Sequence, residues 1–450
     1  MMNPLSRLWH RAFLETRPSL SLGLFRLVVA WTVGAHMIPS FFHMDENYLA
    51  TAFKTQNYSF FPVPILHRVA ASPDWMVWVW TAVFCLALAA FALGLFSQIS
   101  CIVMTLACYY FYALNNFQIG TLSYDILLVT LFLMCVTNYP GDFLSLDSLR
   151  RGKPSTYKRA RPFFLQRLLQ LQLVWIYWFT ALAKTNWLCG KTRLAGNWIT
   201  DNPYYYLMHY PAIGVVRDFP LRSWLAQHPL LCHNIGLMVI TVELALPLLW
   251  FIPRTRLFGI GLGIIFQLIL WVTLHVPTIF LFLFSPMMLL FIQPEKLVQW
   301  IERRQAQHAL AERAILLYDG NCGFCLESIK RVRVLDIFGW VDPLNFHKQP
   351  DLSKLNPALT LKRCRSEMIL IEPNGRISGG FDAFRQLTRH LPTLWIVAPL
   401  TFFPGASWVG HRAYRWLSKN RYLLHRNPIC TSNQCGAALP TSNKNVSLLN

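Results

Sequence analysis

Charge is what this sequence has least of. Only 14% of its 450 residues are Asp, Glu, Lys or Arg, where a soluble domain carries about 25%. The shortage runs up to Pro294 and then ends, which divides the chain into a membrane part and a soluble part. Acidic residues are the scarcer sign, 21 against 41 Lys and Arg, for a net charge of +20. In a soluble protein that excess would point to nucleic acid. No base-reading motif is present, however, and the basic residues cluster beside apolar runs, where topology accounts for them. The pattern of a secretory leader is missing too. The first apolar run, 20–42, is too long for an h-region and carries Arg26, so it reads as a retained span. The membrane part has no phosphate loop, no Gly-x-Ser-x-Gly elbow and no metal cluster. The eleven cysteines form no framework; Cys85, Cys101, Cys108 and Cys135 sit in apolar runs and read as small buried hydrophobes.

What the first 294 residues do have is a series of long hydrophobic runs. A span needs about 20 mostly apolar residues. Eight runs are read as spans: 20–42, 74–96, 99–114, 122–138, 164–184, 231–252, 257–275 and 277–293, the third and fourth being short. The positive-inside rule orients them. Arg7, Arg11 and Arg17 precede the first run. Arg150, Arg151, Lys153, Lys158, Arg159 and Arg161 lie between the fourth and fifth. Arg254 and Arg256 lie between the sixth and seventh, and Lys296, Arg303 and Arg304 follow the eighth. Eight crossings put all four groups on one side and make that side, with both termini, cytoplasmic; seven would break the agreement. The expected location is a bacterial-type inner membrane, with the lipid bilayer as a partner. Two loops, 43–73 and 186–230, then face outward. The second is rich in Trp, Tyr and Pro, which suits a cap at the membrane interface, and Cys189 and Cys232, both expected at this outer face, are a candidate disulfide.

The expected fold class is therefore a polytopic α-helical membrane bundle over 1–294, followed by a small α/β domain. A polar helical linker is expected over 295–313, the α/β domain over 314–426 and a flexible tail over 427–450. Within the domain, 315–318 reads as a strand, 322–337 as a helix and 340–346 as a second strand. A hairpin is expected about Pro373-Asn374-Gly375, joining 368–371 to 376–378. Helices are expected over 381–391 and 406–418. Strands mixed with helices in so short a stretch make a small α/β unit.

The feature that carries most chemistry is Tyr318-Asp319-Gly320-Asn321-Cys322-Gly323-Phe324-Cys325. It places Cys-x-x-Cys after an apolar strand and at the start of a helix. A helix N-terminus carries partial positive charge and free N–H groups, which favour thiolate over thiol. On that logic Cys322 is the attacking thiol and Cys325, one turn later, resolves the mixed disulfide. Asp319 either relays protons or ends the strand. Two other readings remain open. A zinc site would need two more ligands, for which Cys430 and Cys435 are the candidates, but no knuckle pattern surrounds them. The pair can also be purely structural.

On these residues the segment from Ala314 to about Arg426 resembles the DCC family of thiol-disulfide oxidoreductases, named for Asp-x-x-Cys-x-x-Cys. Asp319, Cys322 and Cys325 match that signature. Gly379-Gly380, Ala383, Trp395, Pro399, Pro404, and Tyr414 with Asn420-Arg421 look like the rest of the family pattern. The resemblance implies a thioredoxin-like fold and disulfide exchange. One departure stands out: no Pro precedes the strand at 368–371, where a thioredoxin places the cis-Pro that contacts substrate.

Four ionisable residues lie inside apolar runs, where such groups are costly and have a reason to be kept: Arg26, Asp125, Lys184 and Glu243. Two charges of each sign can neutralise one another as a structural network. Alternatively they line a polar cavity near the outer leaflet with Lys184 as a base, if burial depresses its pKa. His275, Pro277 and His209 are weaker candidates for the same cavity. The run Tyr177-Trp178-Phe179-Thr180-Ala181-Leu182-Ala183-Lys184-Thr185-Asn186-Trp187 looks like the HTTM superfamily, which includes the vitamin K-dependent γ-carboxylases. Arg26, and Glu243 before Leu246-Pro247-Leu248-Leu249, also fit. The resemblance implies that Lys184 falls where the carboxylase base sits. Ser123-Tyr124-Asp125-Ile126-Leu127-Leu128 departs from the carboxylase pattern and looks closer to lipase maturation factors; the large lumenal substrate-binding domain is absent.

Three functions follow. The first is a membrane-anchored thiol-disulfide oxidoreductase using Cys322 and Cys325 on a protein or small-molecule disulfide. A quinone is the one cofactor the vitamin K link suggests, by analogy alone. The second is lipid-phase chemistry at Lys184. The third is a non-enzymatic, redox-sensing assembly or maturation factor.

Overall fold

The computed structural model describes residues 3–52, 72–115, 122–152, 156–185, 197–209, 216–275, 278–308, 312–349, 351–395 and 398–424. Two compact units emerge: 1–148 with 156–300, and 149–155 with 301–450. Cys189, Trp187, Pro277, Cys430, Cys435, residues 53–71 of the 43–73 loop and the 427–450 tail lie outside the described residues.

The first unit is built of helices wherever the sequence has long apolar runs. They are α1 (Leu20–Phe41), α2 (Asp74–Leu93), α3 (Ser97–Leu114), α4 (Leu122–Cys135), α5 (Phe164–Lys184), α6 (Pro229–Phe251), α7 (Arg256–Thr273) and α8 (Thr278–Leu289). Five of these, α1, α2, α3, α6 and α7, are long and apolar enough to cross a membrane; a sixth span is gained if α8 and the following α9 (Pro294–Gln307) count as one, bent by 78°. The count falls short of eight for local reasons. α5 is long but carries Gln166, Arg167, Gln170 and Gln172, and α4 and α8 are short. Large apolar side chains on the outer faces stay exposed, among them Trp31, Trp75, Leu86, Trp175 and Leu257. A bilayer supplies the solvent such a surface needs.

Two three-residue strands close one end of this unit. β1 (Thr16–Pro18) pairs antiparallel with β2 (Ala160–Pro162), so that Arg17 stands opposite Arg161. The buried Asp142 carboxylate holds this end together. It takes Arg161 at 2.7 Å, Arg159 at 3.0 Å and the Ser19 hydroxyl at 3.2 Å. Arg17 also lies 3.8 Å from Glu295 at the start of α9.

The second unit has a four-stranded mixed sheet in the order β4-β3-β5-β6. β3 (Ala314–Tyr318) is followed by α10 (Gly323–Leu335) and then by β4 (Val341–Asn345), parallel to β3. After α11 (Leu361–Ser366), β5 (Ile369–Ile371) pairs antiparallel with β3, and β6 (Ile377–Gly379) with β5. The hairpin between β5 and β6 turns at Asn374-Gly375, as the sequence predicts. Helices α12 (Gly380–His390), α13 (Ala398–Phe402) and α14 (Ala406–Leu424) complete the unit.

Side chains alternate across a strand, and the two cores follow from that. Ala314, Leu316 and Tyr318 of β3 join Leu370, Cys322, Cys325, Ile329, Ala383 and Leu387 on one face. Leu317, Ile369 and Ile371 join Phe346, Leu359 and Cys364 on the other. Pro343 is tolerated in β4 because β4 is an edge strand.

Candidate functional site

The redox motif is shaped by the chain's exit from β3. Beyond Tyr318 the backbone makes a turn through Asp319, Gly320 and Asn321, and Cys322 takes the N-cap position of α10. The Asp319 carbonyl accepts the Cys322 N–H at 3.2 Å, and the Asp319 carboxylate accepts the Asn321 N–H at 3.0 Å. Asp319 therefore does end the strand, by tying the turn to itself. It does a second thing as well. Its Oδ1 lies 2.9 Å from Nε2 of His347, in the turn after β4. Asp319 is 5% exposed, while the His347 ring is partly open to solvent.

β4 brings this partner into place because it runs parallel to β3, ending beside it with Tyr318 opposite Asn345. The Asn345 side chain accepts from the His347 N–H at 3.0 Å and the Gly320 N–H at 3.3 Å. It packs so closely on Gly320 that a Cβ there would run into it. The Phe346 ring lies tilted against the imidazole with centroids 4.2 Å apart. Sequence reasoning missed His347 and Asn345. Asn-Phe-His at the end of a strand has no motif, and only the parallel pairing of β3 and β4 makes it a neighbour of Asp319.

Cys322 is fully covered and Cys325 is 5% exposed. Both sit in the apolar cluster beneath the sheet, with Phe324 and Met368 packed against it. A thiol at Cys322 meets the partial charge of the helix start, and the buried Asp319 carboxylate, paired with the partly exposed His347 imidazole, lies three residues before it in the chain. That set of groups can hold a thiolate, take up its proton and hand it on. The covering means that a disulfide partner reaches Cys322 only when the cluster opens. At the position before β5, where a thioredoxin has its cis-Pro, stand Glu367 and Met368. The Met368 N–H is taken by the Tyr414 hydroxyl at 2.9 Å. No group of His, Cys, Asp and Glu able to hold a metal occurs among the described residues. Elsewhere in the domain burial pushes the Asp336 carboxyl and the Cys364 thiol up.

In the helical unit the four ionisable residues do not form one network. Lys184 and Glu243 are paired, Nζ standing 2.8 Å from both carboxylate oxygens, with Glu243 buried. The Trp198 ring lies 5.6 Å from the same Nζ, and the Trp198 N–H donates to the Lys184 carbonyl at 2.9 Å. Close by, Gln267 donates to the Tyr177 hydroxyl at 2.6 Å. Asp125 instead accepts from the Tyr112 hydroxyl at 2.6 Å. Arg26 is fully buried near the start of α1, donating to the carbonyls of Phe91 and Leu144. Its guanidinium fills the space that a Cβ on Gly94, at φ +65°, would take. The expectation of mutual neutralisation thus holds for one pair of the four. Arg26 lies at the end closed by β1 and β2, and Lys184 at the far end of α5. The buried Asp142, at the centre of the β1–β2 end, escaped the sequence reading because it lies between runs. His209 and His275 are exposed. Cys232 is buried and donates to the Leu225 carbonyl at 3.2 Å.

Comparison with known proteins agrees with this division. No curated protein and no solved structure matches the chain. A family described as the HTTM domain matches residues 15–296, and one described as DCC1-like thiol-disulfide oxidoreductase matches 316–427. The chain belongs to the HTTM domain family, and carries after that domain a DCC1-like thiol-disulfide oxidoreductase domain.

Proposed function

We propose that this multi-pass membrane protein is a thiol-disulfide exchanger. Cys322 attacks a disulfide of a protein or small molecule, Cys325 resolves the mixed disulfide, and the Asp319–His347 pair moves the proton. The observation that carries the reading is the buried Asp319 carboxylate held 2.9 Å from His347 Nε2, immediately before a helix capped by Cys322. In the reductive direction the Cys322 thiolate breaks the substrate S–S bond and one substrate sulfur leaves as thiolate. Cys325 then loses its proton and displaces the second sulfur, leaving a Cys322–Cys325 disulfide and a dithiol product. The two electrons needed for the next turnover come from an external dithiol.

Eight crossings with both termini in the cytoplasm complete the proposal. Its support is that three contacts gather the segments carrying the four basic groups at one end of the helical unit: Arg17 opposite Arg161, Arg17 near Glu295 just before Lys296, and Arg167 over the Phe251 ring just before Arg254. Each of α1 to α8 then runs from that end to the other or back. For the membrane part we favour an anchoring role over base chemistry. A Lys184 side chain gripped by both oxygens of Glu243 is arranged as an ion pair, not as a proton acceptor.

Mixed-disulfide trapping in cells tests the exchange. Cys325→Ser removes the resolving thiol and should leave Cys322 joined to its partner. The expected result is a discrete, reductant-sensitive adduct missing from the Cys322→Ser/Cys325→Ser double variant. No adduct, together with tightly bound zinc in the purified chain, would overturn the reading.

A further inference from the structure

The exchange site leaves unused a face of the second unit that is both greasy and basic. α14 presents Trp408, Arg412 and Trp416 to solvent at four-residue spacing, one above the other on a helix. Val409 lies beside them. Trp408, Val409 and Trp416 are 67%, 59% and 61% exposed. The opposite side of the helix is the packed one, with Gly410 pressed on the Phe381 ring. Just before α14, Leu400 and Phe403 are 71% and 70% exposed. Side chains of this size have no reason to stand in water on a helix that already has a buried face.

Beyond Asp382 the charge of the sequence has one sign. From residue 383 to the last residue, 450, the sequence has no Asp or Glu, against eight Lys and Arg. The Arg412 guanidinium lies over the Trp408 ring at 5.1 Å. Beside the face opens a cavity of about 720 Å³ in which Arg376, Arg385, Arg389 and Arg415 outnumber the carboxylates Glu367 and Asp382, and Glu367 is taken up by Arg363 at 3.0 Å. Arg385 is engaged by Asp382 at 3.6 Å. Arg376, Arg389 and Arg415 have no carboxylate partner among the described residues.

We propose that the α13–α14 face docks on the anionic surface of the membrane that the chain's own spans occupy, and that the arginine cavity takes a phospholipid headgroup phosphate. The occupant is identified by chemistry. Trp, Phe and Leu interleaved with Arg match the boundary between headgroups and acyl chains, where aromatic rings settle and basic side chains meet phosphate. A protein partner would need an acidic apolar patch. The bilayer is present at high effective concentration from the moment the spans insert.

The test uses the full chain reconstituted in vesicles, with p-benzoylphenylalanine installed at Val409 or, as a control on another exposed part of the unit, at Lys354. Irradiation in phosphatidylcholine vesicles containing phosphatidylglycerol should give lipid adducts at 409 several-fold above those at 354. About 1 M salt, where the Debye length is about 3 Å, should lower the 409 yield several-fold. Arg389→Gln/Arg415→Gln should abolish the preference for phosphatidylglycerol over phosphatidylcholine. Equal lipid adducts at the two positions, or adducts from 409 to a peptide of this or another chain, would overturn the proposal.

Discussion

Asp319 and His347 meet at 2.9 Å although they follow different strands, β3 and β4, which are joined through α10. The contact is a product of the parallel pairing of β3 and β4. It puts a proton acceptor one turn ahead of Cys322 in a part of the domain that is otherwise apolar.

If the pair moves the proton, its loss slows exchange without unfolding the domain. General acid–base catalysis contributes typically about 10²-fold or more. Asp319→Asn and His347→Ala should each lower the rate at which the full chain reduces a model disulfide by an amount of that order. The double variant should be no worse than either single one. Stopped-flow rates across the pH range read this directly. Superimposable pH–rate profiles for the wild type and Asp319→Asn would show that the carboxylate only ties the turn.

Gly320 is required by its neighbour, Asn345. Gly320→Ala forces a methyl into the Asn345 side chain, and overpacking of this kind costs typically about 1–3 kcal/mol. The variant should lose protease resistance over residues 314–424. Adding Asn345→Ala should restore part of it, and a Gly320→Ala protein as resistant as the wild type would refute the packing argument.

The Lys184–Glu243 pair should behave as a buried ion pair. Lys184→Ala leaves the Glu243 carboxylate alone, a loss worth about 3 kcal/mol or more in buried pairs. The detergent-purified variant should melt well below the wild type. Lys184→Ala/Glu243→Gln should recover much of the loss. An unaltered melting curve for Lys184→Ala would mean the pair holds nothing together.

Asp336 gives the second unit a pH dependence whose sign follows from its burial. Burial, the largest effect on it, raises its carboxyl above the ordinary aspartate value. The folded domain therefore holds a proton that the unfolded chain has already lost. Its contribution to stability is present at low pH and disappears as pH rises from the ordinary aspartate range through the raised value. Asp336→Asn should flatten that part of the stability–pH curve, measured by chemical unfolding. A slope unchanged by the substitution would assign the dependence to another group.

Topology can be read by substituted cysteines. Glu15→Cys and Arg303→Cys should react with a membrane-impermeant maleimide only after the cells are opened, and Asp201→Cys in intact cells. Labelling of Glu15→Cys from outside would reverse the orientation.

Much of this was legible in residue order because it depends on local pattern. The runs that became α1, α2, α3, α6 and α7 are long and apolar. The β3 strand, the Cys322 helix and the Asn374-Gly375 hairpin each carry a short-range signal. What could not be read is what distant segments bring together. β1 and β2 are three residues each, too short for any periodicity, and they pair across more than 140 positions. Asp142 draws its meaning from Arg159 and Arg161, and His347 from Asp319. α5 shows the opposite difficulty: its glutamines lower its apolar character, yet Gln166 and Gln170 turn inward and donate to the Leu290 carbonyl.

The β1–β2 ladder also sets an order of events during synthesis. The segment at 16–18 leaves the ribosome early but has nothing to pair with until 160–162 arrives. Through that interval Asp142 emerges before the arginines that neutralise it. A nascent chain halted between the two would carry an unpaired carboxylate at a site built to exclude water. The first four helices therefore make a domain that cannot finish folding alone. Their closing stitch is held in reserve for the start of the second half.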